Sequence, residues 1–168
     1  MDGRINWKAG VILLCLLLGA CAAQESQPPV YNLGDIVSTY WFDFVVEGAE
    51  RGDTYGSYLA QEGCELIICD LQLENTFDEA VPMGWADFVL AWDGTEGENS
   101  AYALPTITDE QLPEEYELAK DGQMSGQLVF EIPGGTTGLQ LVFLELYAEG
   151  DSGTEYSEGA SYQVTLDR

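Results

Sequence analysis

The residues best suited to chemistry in this sequence are its carboxylates, because the partners that nucleophilic catalysis needs are scarce. The 168 residues include 30 Asp and Glu, five Lys and Arg, and no His. Without histidine there is no Ser-His or Cys-His pair, and the few lysines leave little room for a Ser-Lys pair. Carboxylate pairs are commonplace in so acidic a chain, so a carboxylate-dependent hydrolase is the less favoured alternative. We therefore expect no catalytic residue and no cofactor.

Two acidic, glycine-containing stretches carry oxygen ligands at close spacing and are the candidate calcium loops. The first contains Asp93, Glu96 and Glu98, and the second contains Asp151 and Glu155. Calcium takes about six to eight oxygen ligands, and neither stretch follows the EF-hand order. A solvated acidic turn is the simpler interpretation. A calcium-binding or calcium-stabilised surface protein is the alternative, and its melting temperature would rise with added calcium.

Cys21 has the most specific setting of the four cysteines. Arg4 and Lys8 precede an uncharged, largely apolar run over residues 9–23, which is the layout of a secretory signal. The run covers about 15 residues, fewer than the roughly 20 that a spanning helix needs. Its end resembles a lipobox, with the signal cleavage motif Leu18, Gly19, Ala20 and Cys21.

This motif predicts that residues 1–20 are a lipoprotein signal peptide, removed before Cys21. The Cys21 thiol would receive a diacylglyceryl group, because a thiolate is the nucleophile that this modification requires. Two acyl chains hold a protein on a membrane stably, whereas one chain binds only marginally. We therefore expect the protein to contact the membrane through a lipid anchor on Cys21.

The remaining cysteines, Cys64 and Cys69, lie five residues apart in a segment with strand character. At strand rise their Cα atoms would be roughly 16 Å apart. A disulfide needs Cα atoms within about 7 Å, so the pattern predicts two free thiols. A zinc site would need further Cys or His ligands, which this chain does not offer.

Alternating apolar and polar residues over at least six segments predict β-strands. Pro133-Gly134-Gly135 and Asp93-Gly94 are turn signals between them. Residues 139–147 are apolar at both parities, which is typical of a central strand. The pattern predicts an all-β, antiparallel sandwich. The predicted inward residues are Phe42, Phe44 and Val46; Ile67, Cys69, Leu71 and Leu73; Phe88, Leu90 and Trp92; Leu128, Phe130 and Ile132; and Tyr162, Val164 and Leu166.

Composition divides the chain after the signal peptide into a tether and one domain. Residues 21–33 are small, polar and proline-containing, which suits a flexible tether, and residues 34–168 would form the sandwich. Residues 47–63 and 93–115 are the predicted long loops, with a helical turn over residues 108–116. Five aromatic residues do not all fit the inward register. They are candidates either for a recognition surface or for the rims of the sandwich: Trp41, Tyr55, Tyr58, Trp85 and Tyr102.

Several short motifs recur in an order that resembles a known family. They are Gly34-Asp35, Leu66-Ile67-Ile68, Leu73-Glu74-Asn75-Thr76, Asp87-Phe88-Val89-Leu90, Trp92-Asp93-Gly94, Ser125-Gly126-Gln127-Leu128-Val129-Phe130 and Ile132-Pro133. This order resembles the DUF4352 family of exported, telokin-like proteins. The resemblance implies an immunoglobulin-like antiparallel β-sandwich and a cell-surface location, typically in Gram-positive bacteria. It carries over no catalytic residue.

Taken with the charge, these features predict a non-catalytic surface module of interaction or structural type. A net charge of −25 repels nucleic acid, so we expect no nucleic-acid partner. The same charge favours cationic partners or divalent cations. We expect another envelope or extracellular protein as the partner of a lipid-anchored domain on the outer side of the cell membrane.

Overall fold

The computed structural model describes residues 29–92, 99–149 and 155–167, and these residues form a β-sandwich without a helix. None of them belongs to a helix that could cross a membrane. The strands are β1 (Val30–Asn32), β2 (Val37–Ser38), β3 (Phe42–Gly52), β4 (Thr54–Tyr55), β5 (Tyr58–Leu59), β6 (Cys64–Asn75), β7 (Val81–Gly84), β8 (Phe88–Ala91), β9 (Ser100–Tyr102), β10 (Glu115–Leu118), β11 (Gln123–Pro133), β12 (Gln140–Glu149) and β13 (Glu155–Thr165).

Two sheets form the sandwich. One has five strands in the order β1-β13-β12-β8-β9, and the other has four in the order β11-β6-β3-β2. Their pairs are antiparallel except for β1, which runs parallel to β13. The pairs β7–β10 and β4–β5 form two small additional ribbons. The predicted immunoglobulin-like antiparallel sandwich is confirmed.

The core lies between the inner faces of the two sheets, where alternate residues of each strand point. Phe42 and Phe44 of the four-stranded sheet contact Phe88 and Phe143 of the five-stranded sheet, with ring centroids 4.9–6.4 Å apart. Each fully buried phenylalanine contributes about 1.5–3 kcal/mol, and such ring pairs add about 0.5–1.5 kcal/mol. All six predicted strands are present, and of their predicted inward residues only Trp92 and Tyr162 are not fully buried.

A second, smaller cluster covers the outer face of the four-stranded sheet. Tyr55, Leu66 and Val129 form its centre, and Leu104 and Ile107 pack against it. The segment containing the last two residues, 104–112, also bonds to the free edge of β11. Leu104 N–H donates to Val129 O (2.7 Å), Leu112 N–H to Gln127 O (3.0 Å), and Gln127 N–H to Glu110 O (2.9 Å). We call residues 104–112 the strap.

Two predictions about irregular segments are wrong. Residues 47–63 are not a loop, because β3 continues to Gly52 and a short β4–β5 ribbon follows. The register of β3 against β6 shifts between Val46 and Gly48, so the apolar alternation breaks although the strand continues. The helical turn over residues 108–116 is a simple turn in which Gln111 N–H donates to Thr108 O (3.3 Å), and β10 begins at Glu115.

One boundary and one burial pattern also differ from the sequence-based expectation. The tether predicted over residues 21–33 extends too far, because Val30–Asn32 is β1 and pairs with residues 163–165. Its short, mixed sequence gives no alternation from which a strand could be predicted. The central strand β12 is buried on its inner face only, and Leu146 on its outer face is 51% exposed.

Candidate functional site

Four aromatic side chains from three separate segments meet at one end of the sandwich. Tyr40 and Trp41 directly precede β3, Phe77 follows β6, and Tyr147 lies on β12. Five ring contacts join them, with centroids 4.7–6.0 Å apart. Tyr40 is 58% exposed, whereas the other three are half-buried. We call these four residues the aromatic cluster.

Polar side chains in the adjoining turns hold the cluster in place. The Thr39 hydroxyl accepts hydrogen bonds from Trp41 N–H (3.1 Å) and Phe42 N–H (3.0 Å), which forms a compact turn before β3. At the end of β6 the Asn75 carbonyl oxygen accepts from Phe77 N–H (2.8 Å). Asn75 is 2% exposed, and its amide donates to backbone carbonyls of residues 79, 118 and 119. Asn75 thus has a structural role at the end of β6, where its side chain bonds the backbone of the adjoining turns.

A buried carboxylate, that of Glu145 on β12, forms hydrogen bonds to two residues of the cluster, Tyr40 and Tyr147. Glu145 is 3% exposed. One of its oxygens accepts from Tyr40 N–H (2.7 Å) and the Tyr162 hydroxyl (2.9 Å). The other accepts from the Tyr147 hydroxyl (2.6 Å) and Ala160 N–H (3.3 Å). Each oxygen therefore has one backbone donor and one tyrosine donor.

The hydrogen bonds keep Glu145 ionised. Burial by itself raises the pKa of this carboxyl, but the bonds from Tyr147, Tyr40, Tyr162 and Ala160 together outweigh burial, so the pKa lies below its ordinary value. The pKa values of the tyrosines bonded to Glu145 shift in the opposite direction, upward. The bond to Glu145, with burial, raises the pKa of Tyr147 to about 12.

The backbone opposite Glu145 is shaped to admit this side chain. The β12–β13 pairing shifts register between Leu144 and Leu146, which leaves a bulge at Gly159 and Ala160. A Cβ at Gly159 would overlap the Tyr147 ring and would lie 2.9 Å from Glu145 Cβ. Only glycine fits this position without displacing the carboxylate or the ring.

A cleft of about 220 Å³ opens beside the cluster, between β7 and the outer part of β12. Asp87 is the one charged residue among its lining side chains, and the others are apolar or aromatic. Leu146 at the rim is 51% exposed, so the cluster and the cleft form one partly open apolar surface. The principal lining residues are Trp41, Met83, Asp87, Phe143, Leu144 and Leu146.

The Asp87 carboxyl is held by the turn before β8. One oxygen accepts from Gly84 N–H (2.6 Å), and Asp87 N–H donates back to Gly84 O (3.2 Å). Burial raises the pKa of Asp87, and the bond from Gly84 only partly opposes that rise. Burial also raises the pKa of the nearby Tyr116 hydroxyl, and the Asp87 charge adds to that rise. Asp87 is thus a desolvated carboxyl at the wall of an apolar cleft.

A second concavity, of about 460 Å³, lies on the four-stranded sheet. Asp43 of β3 and Glu74 of β6 face each other directly across the strands in this groove. Like charges in that position are mutually unfavourable. Asp43 is half-exposed and Glu74 is exposed, so water solvates both carboxylates.

Most site residues predicted from the sequence lie outside the described residues. These are the lipidation and cleavage residues Leu18, Gly19, Ala20 and Cys21, and the calcium candidates Asp93, Glu96, Glu98 and Asp151. Glu155 begins β13, but its side chain is also outside the description. Within the described ranges no group of three or more His, Cys, Asp or Glu side chains could hold a metal ion.

The two predicted free thiols are present on β6. Cys64 is half-buried and Cys69 is fully buried, and neither forms a disulfide. Burial, followed by the charge of Asp70, raises the pKa of Cys69 to about 12. Cys69 is therefore a core residue rather than a reactive thiol.

The five aromatic candidates do not form one surface. Trp41 belongs to the aromatic cluster, whereas Tyr55 and Tyr58 belong to the β4–β5 ribbon, which packs on the outer face of the four-stranded sheet near the strap. Trp85 and Tyr102 form a separate exposed pair, with ring centroids 5.8 Å apart.

Sequence reasoning missed Tyr40, Phe77, Tyr147 and Glu145. A signal for the last existed, because Glu145 is the one charged residue within the apolar run over 139–147. An acidic residue at an inward position of a central strand needs hydrogen-bond donors around it.

Comparisons with known proteins agree with this architecture. The model of a family described as "Domain of unknown function (DUF4352)" matches residues 31–152. A search of curated proteins finds no significant match.

Three solved structures share the fold at low identity. The yjhA protein of Bacillus subtilis is 18% identical, with a TM-score of 0.60 over 82% of this chain and 99% of that one. The secreted protein MPT63 of Mycobacterium tuberculosis is 9% identical, with a TM-score of 0.56 over 83% and 98%. A candidate lipoprotein of Bacillus subtilis, ycdA, is 13% identical, with a TM-score of 0.54 over 78% of this chain and 38% of that one. Identities this low bear on the fold alone.

Proposed function

Since the chain belongs to the DUF4352 family, whose description names no function, we propose from its own surface that it is a non-catalytic interaction module on the bacterial cell surface. Its partner, another envelope or extracellular protein, binds at the aromatic cluster and the adjoining cleft. The observation that carries this proposal is the open apolar surface at the end of the sandwich. Tyr40 and Leu146 are 58% and 51% exposed there, and the buried Glu145 carboxylate bonds to Tyr40 and Tyr147 of the cluster.

The composition and rigidity of the surface favour protein binding. Protein interfaces are enriched in aromatic residues, and a few aromatic anchors carry most of the binding energy. Tyrosine and tryptophan lose little conformational entropy on binding when their rings are already fixed. Here Glu145 and Thr39 fix the segment that carries Tyr40 and Trp41.

The carboxylates favour binding over catalysis. Acid–base catalysis by two carboxyls needs environments that separate their pKa values. In Glu145 both oxygens are occupied by donors that keep the carboxyl ionised. Asp43 and Glu74 are both solvated, and Asp87 is the only carboxyl that lines its cleft among the described residues.

A lipid anchor on Cys21 completes the proposal, because the lipobox-like motif at residues 18–21 supplies the acceptor thiol. The descriptions of ycdA as a candidate lipoprotein and of MPT63 as secreted are consistent with an exported protein. Labelling cells with radioactive palmitate tests the anchor. We expect label on the wild-type protein and none on Cys21→Ala, and the matched control Cys15→Ala should be labelled like the wild type. Equal labelling of the Cys21 variant would exclude the anchor.

Site-specific photocrosslinking in intact envelopes tests the binding surface. A photoreactive phenylalanine at position 40 or 146 should give one discrete adduct with a second protein. The same photoreactive residue at position 59, where Leu59 is 68% exposed on the β4–β5 ribbon, is the matched control and should give no such adduct. Trp41→Ala should abolish the adduct. If all three positions gave the same products, or none gave an adduct, this surface would not be the binding site.

A further inference from the structure

From the cleft beside the aromatic cluster we infer the chemistry of the partner: the cleft receives a lysine or arginine side chain of a polypeptide, whose charge pairs with Asp87. This inference rests on the proposed function, since it names what enters the site. It draws on the shape of the cleft, the setting of its one carboxyl and the charge of the domain.

The walls of the cleft suit the apolar stem of a long basic side chain. Met83 and Phe143 are each 6% exposed, and Leu144 and Leu146 extend the apolar wall to the surface. Lysine and arginine bury three or four methylenes along apolar surface while keeping the charged end at a polar group. A volume of about 220 Å³ accommodates one such side chain, not a whole folded element.

Asp87 is oriented for this pairing. The bond from Gly84 N–H uses one oxygen of the carboxyl group, and it is the single hydrogen bond that Asp87 accepts from the described residues. The second oxygen is left for an incoming donor. A charge-assisted hydrogen bond in a partly desolvated setting is roughly twice as strong as a neutral one.

Other cations fit less well. Calcium takes about six to eight oxygens, and this cleft has one carboxylate among apolar groups. Amine-bearing lipid headgroups also carry a phosphate, which a chain of net charge −25 repels. A basic side chain of a polypeptide carries no phosphate to be repelled, and the negative charge of the chain would attract it.

Methyl NMR on the full-length chain in detergent micelles tests the inference with two matched probes. Nα-acetyl-lysine methylamide carries the charge, and Nα-acetyl-norleucine methylamide keeps the stem without the ammonium group. We expect the lysine probe to shift the Met83 and Leu146 methyl signals and to bind about tenfold more tightly than the norleucine probe. Asp87→Asn, which keeps an oxygen for Gly84 N–H, should reduce that preference to less than twofold. Asp43→Asn removes the same charge from the other sheet and should leave the preference unchanged.

Each contrary outcome identifies what fails. Equal binding of the two probes to the wild-type chain, or a tenfold preference that survives in Asp87→Asn, overturns the inference. The wild-type comparison decides alone if the variant spectrum shows loss of the fold. Phosphoethanolamine binding as tightly as the lysine probe would overturn the polypeptide assignment in favour of a lipid headgroup. Discrete crosslinks from position 40 without a lysine preference would leave the binding site standing, whereas the loss of those crosslinks refutes the proposed function itself.

Discussion

Replacing Glu145 by glutamine removes one charge from the site and keeps the shape of the side chain, so its effect isolates the four hydrogen bonds. Each oxygen of Glu145 accepts from one backbone N–H, of Tyr40 or Ala160, and from one tyrosine hydroxyl. The tyrosine hydroxyls can rotate to accept a bond, but a backbone N–H cannot. Whichever way the glutamine amide lies, its NH₂ group meets a backbone donor, and that donor loses its partner.

The size of the effect follows from these losses. Hydrogen bonds to a charged group contribute about 1.5–3 kcal/mol and neutral ones about 0.5–1.5 kcal/mol, and a buried unsatisfied donor costs about 1–3 kcal/mol. Since the introduced glutamine would keep part of the network, we expect Glu145→Gln to lower the free energy of unfolding by about 2–4 kcal/mol. For a domain of this size the melting temperature should fall by roughly 10 °C.

The effect should also depend on pH with a definite sign. The pKa of Glu145 in the folded state lies below its ordinary value of 4.5, so the folded state binds the proton less readily than the unfolded state. The carboxylate therefore contributes stability above pH 4.5, and that contribution is lost as the pH falls through the folded-state pKa. We expect the difference between the wild type and Glu145→Gln to be largest at about pH 7 and to shrink below pH 4.5.

Urea unfolding at about pH 7 and at several lower pH values measures both expectations. Glu131→Gln is the matched control, because Glu131 also accepts from a tyrosine hydroxyl and a backbone N–H, but on the outer face of β11. We expect that control to change the stability by less than about 1 kcal/mol. A Glu145→Gln effect no larger than the control, or one that is the same at all pH values, would refute the reasoning.

Three other properties can be measured on the same protein. Burial raises the pKa of Asp87, so the folded state loses stability as the pH rises above the ordinary value of 3.8 and the carboxyl ionises. Asp87→Asn should therefore raise the free energy of unfolding by up to about 1 kcal/mol at about pH 7 but not at about pH 3. Equal shifts at the two pH values would contradict this. Gly159→Ala would place a Cβ in the Tyr147 ring, so it should lower the free energy of unfolding in urea by about 2 kcal/mol or more. In the control Gly48→Ala the nearest atom to the new Cβ is 3.5 Å away, so the loss should be less than about 1 kcal/mol. Equal losses would show that the bulge tolerates a side chain. Iodoacetamide should alkylate Cys64 well before the buried Cys69, and mass spectrometry showing equal rates would mean that the core opens more readily than its packing implies.

The core could be predicted from the sequence because apolar and polar residues alternate along each core strand, and the apolar ones point inward. Phe42, Phe44 and Val46, for example, are all inward and all buried. The continuation of β3 to Gly52 could not be predicted, since a register shift after Val46 moves the following residues to the other parity. A bulge interrupts the period-two pattern, so the residues beyond it do not look like a continuation of the same strand.

The aromatic cluster could not be predicted for a different reason. Its members come from positions 40–41, 77 and 147, and only the pairing of β3 with β6 and the packing of the two sheets bring them together. The alternation in the sequence predicts which segments are strands, but it does not predict the order of the strands in each sheet. The sandwich itself was predictable from pattern and resemblance, whereas the site depends on topology.

The strap has a consequence for self-association. An edge strand presents unpaired backbone groups that can recruit a strand from another molecule. Backbone bonds to Val129 O, Gln127 O and Gln127 N occupy part of the β11 edge, and the inward packing of Leu104 and Ile107 keeps the strap in place. The chain's own backbone thereby blocks strand addition along the part of the β11 edge that the strap covers, so a second molecule cannot extend the sheet there.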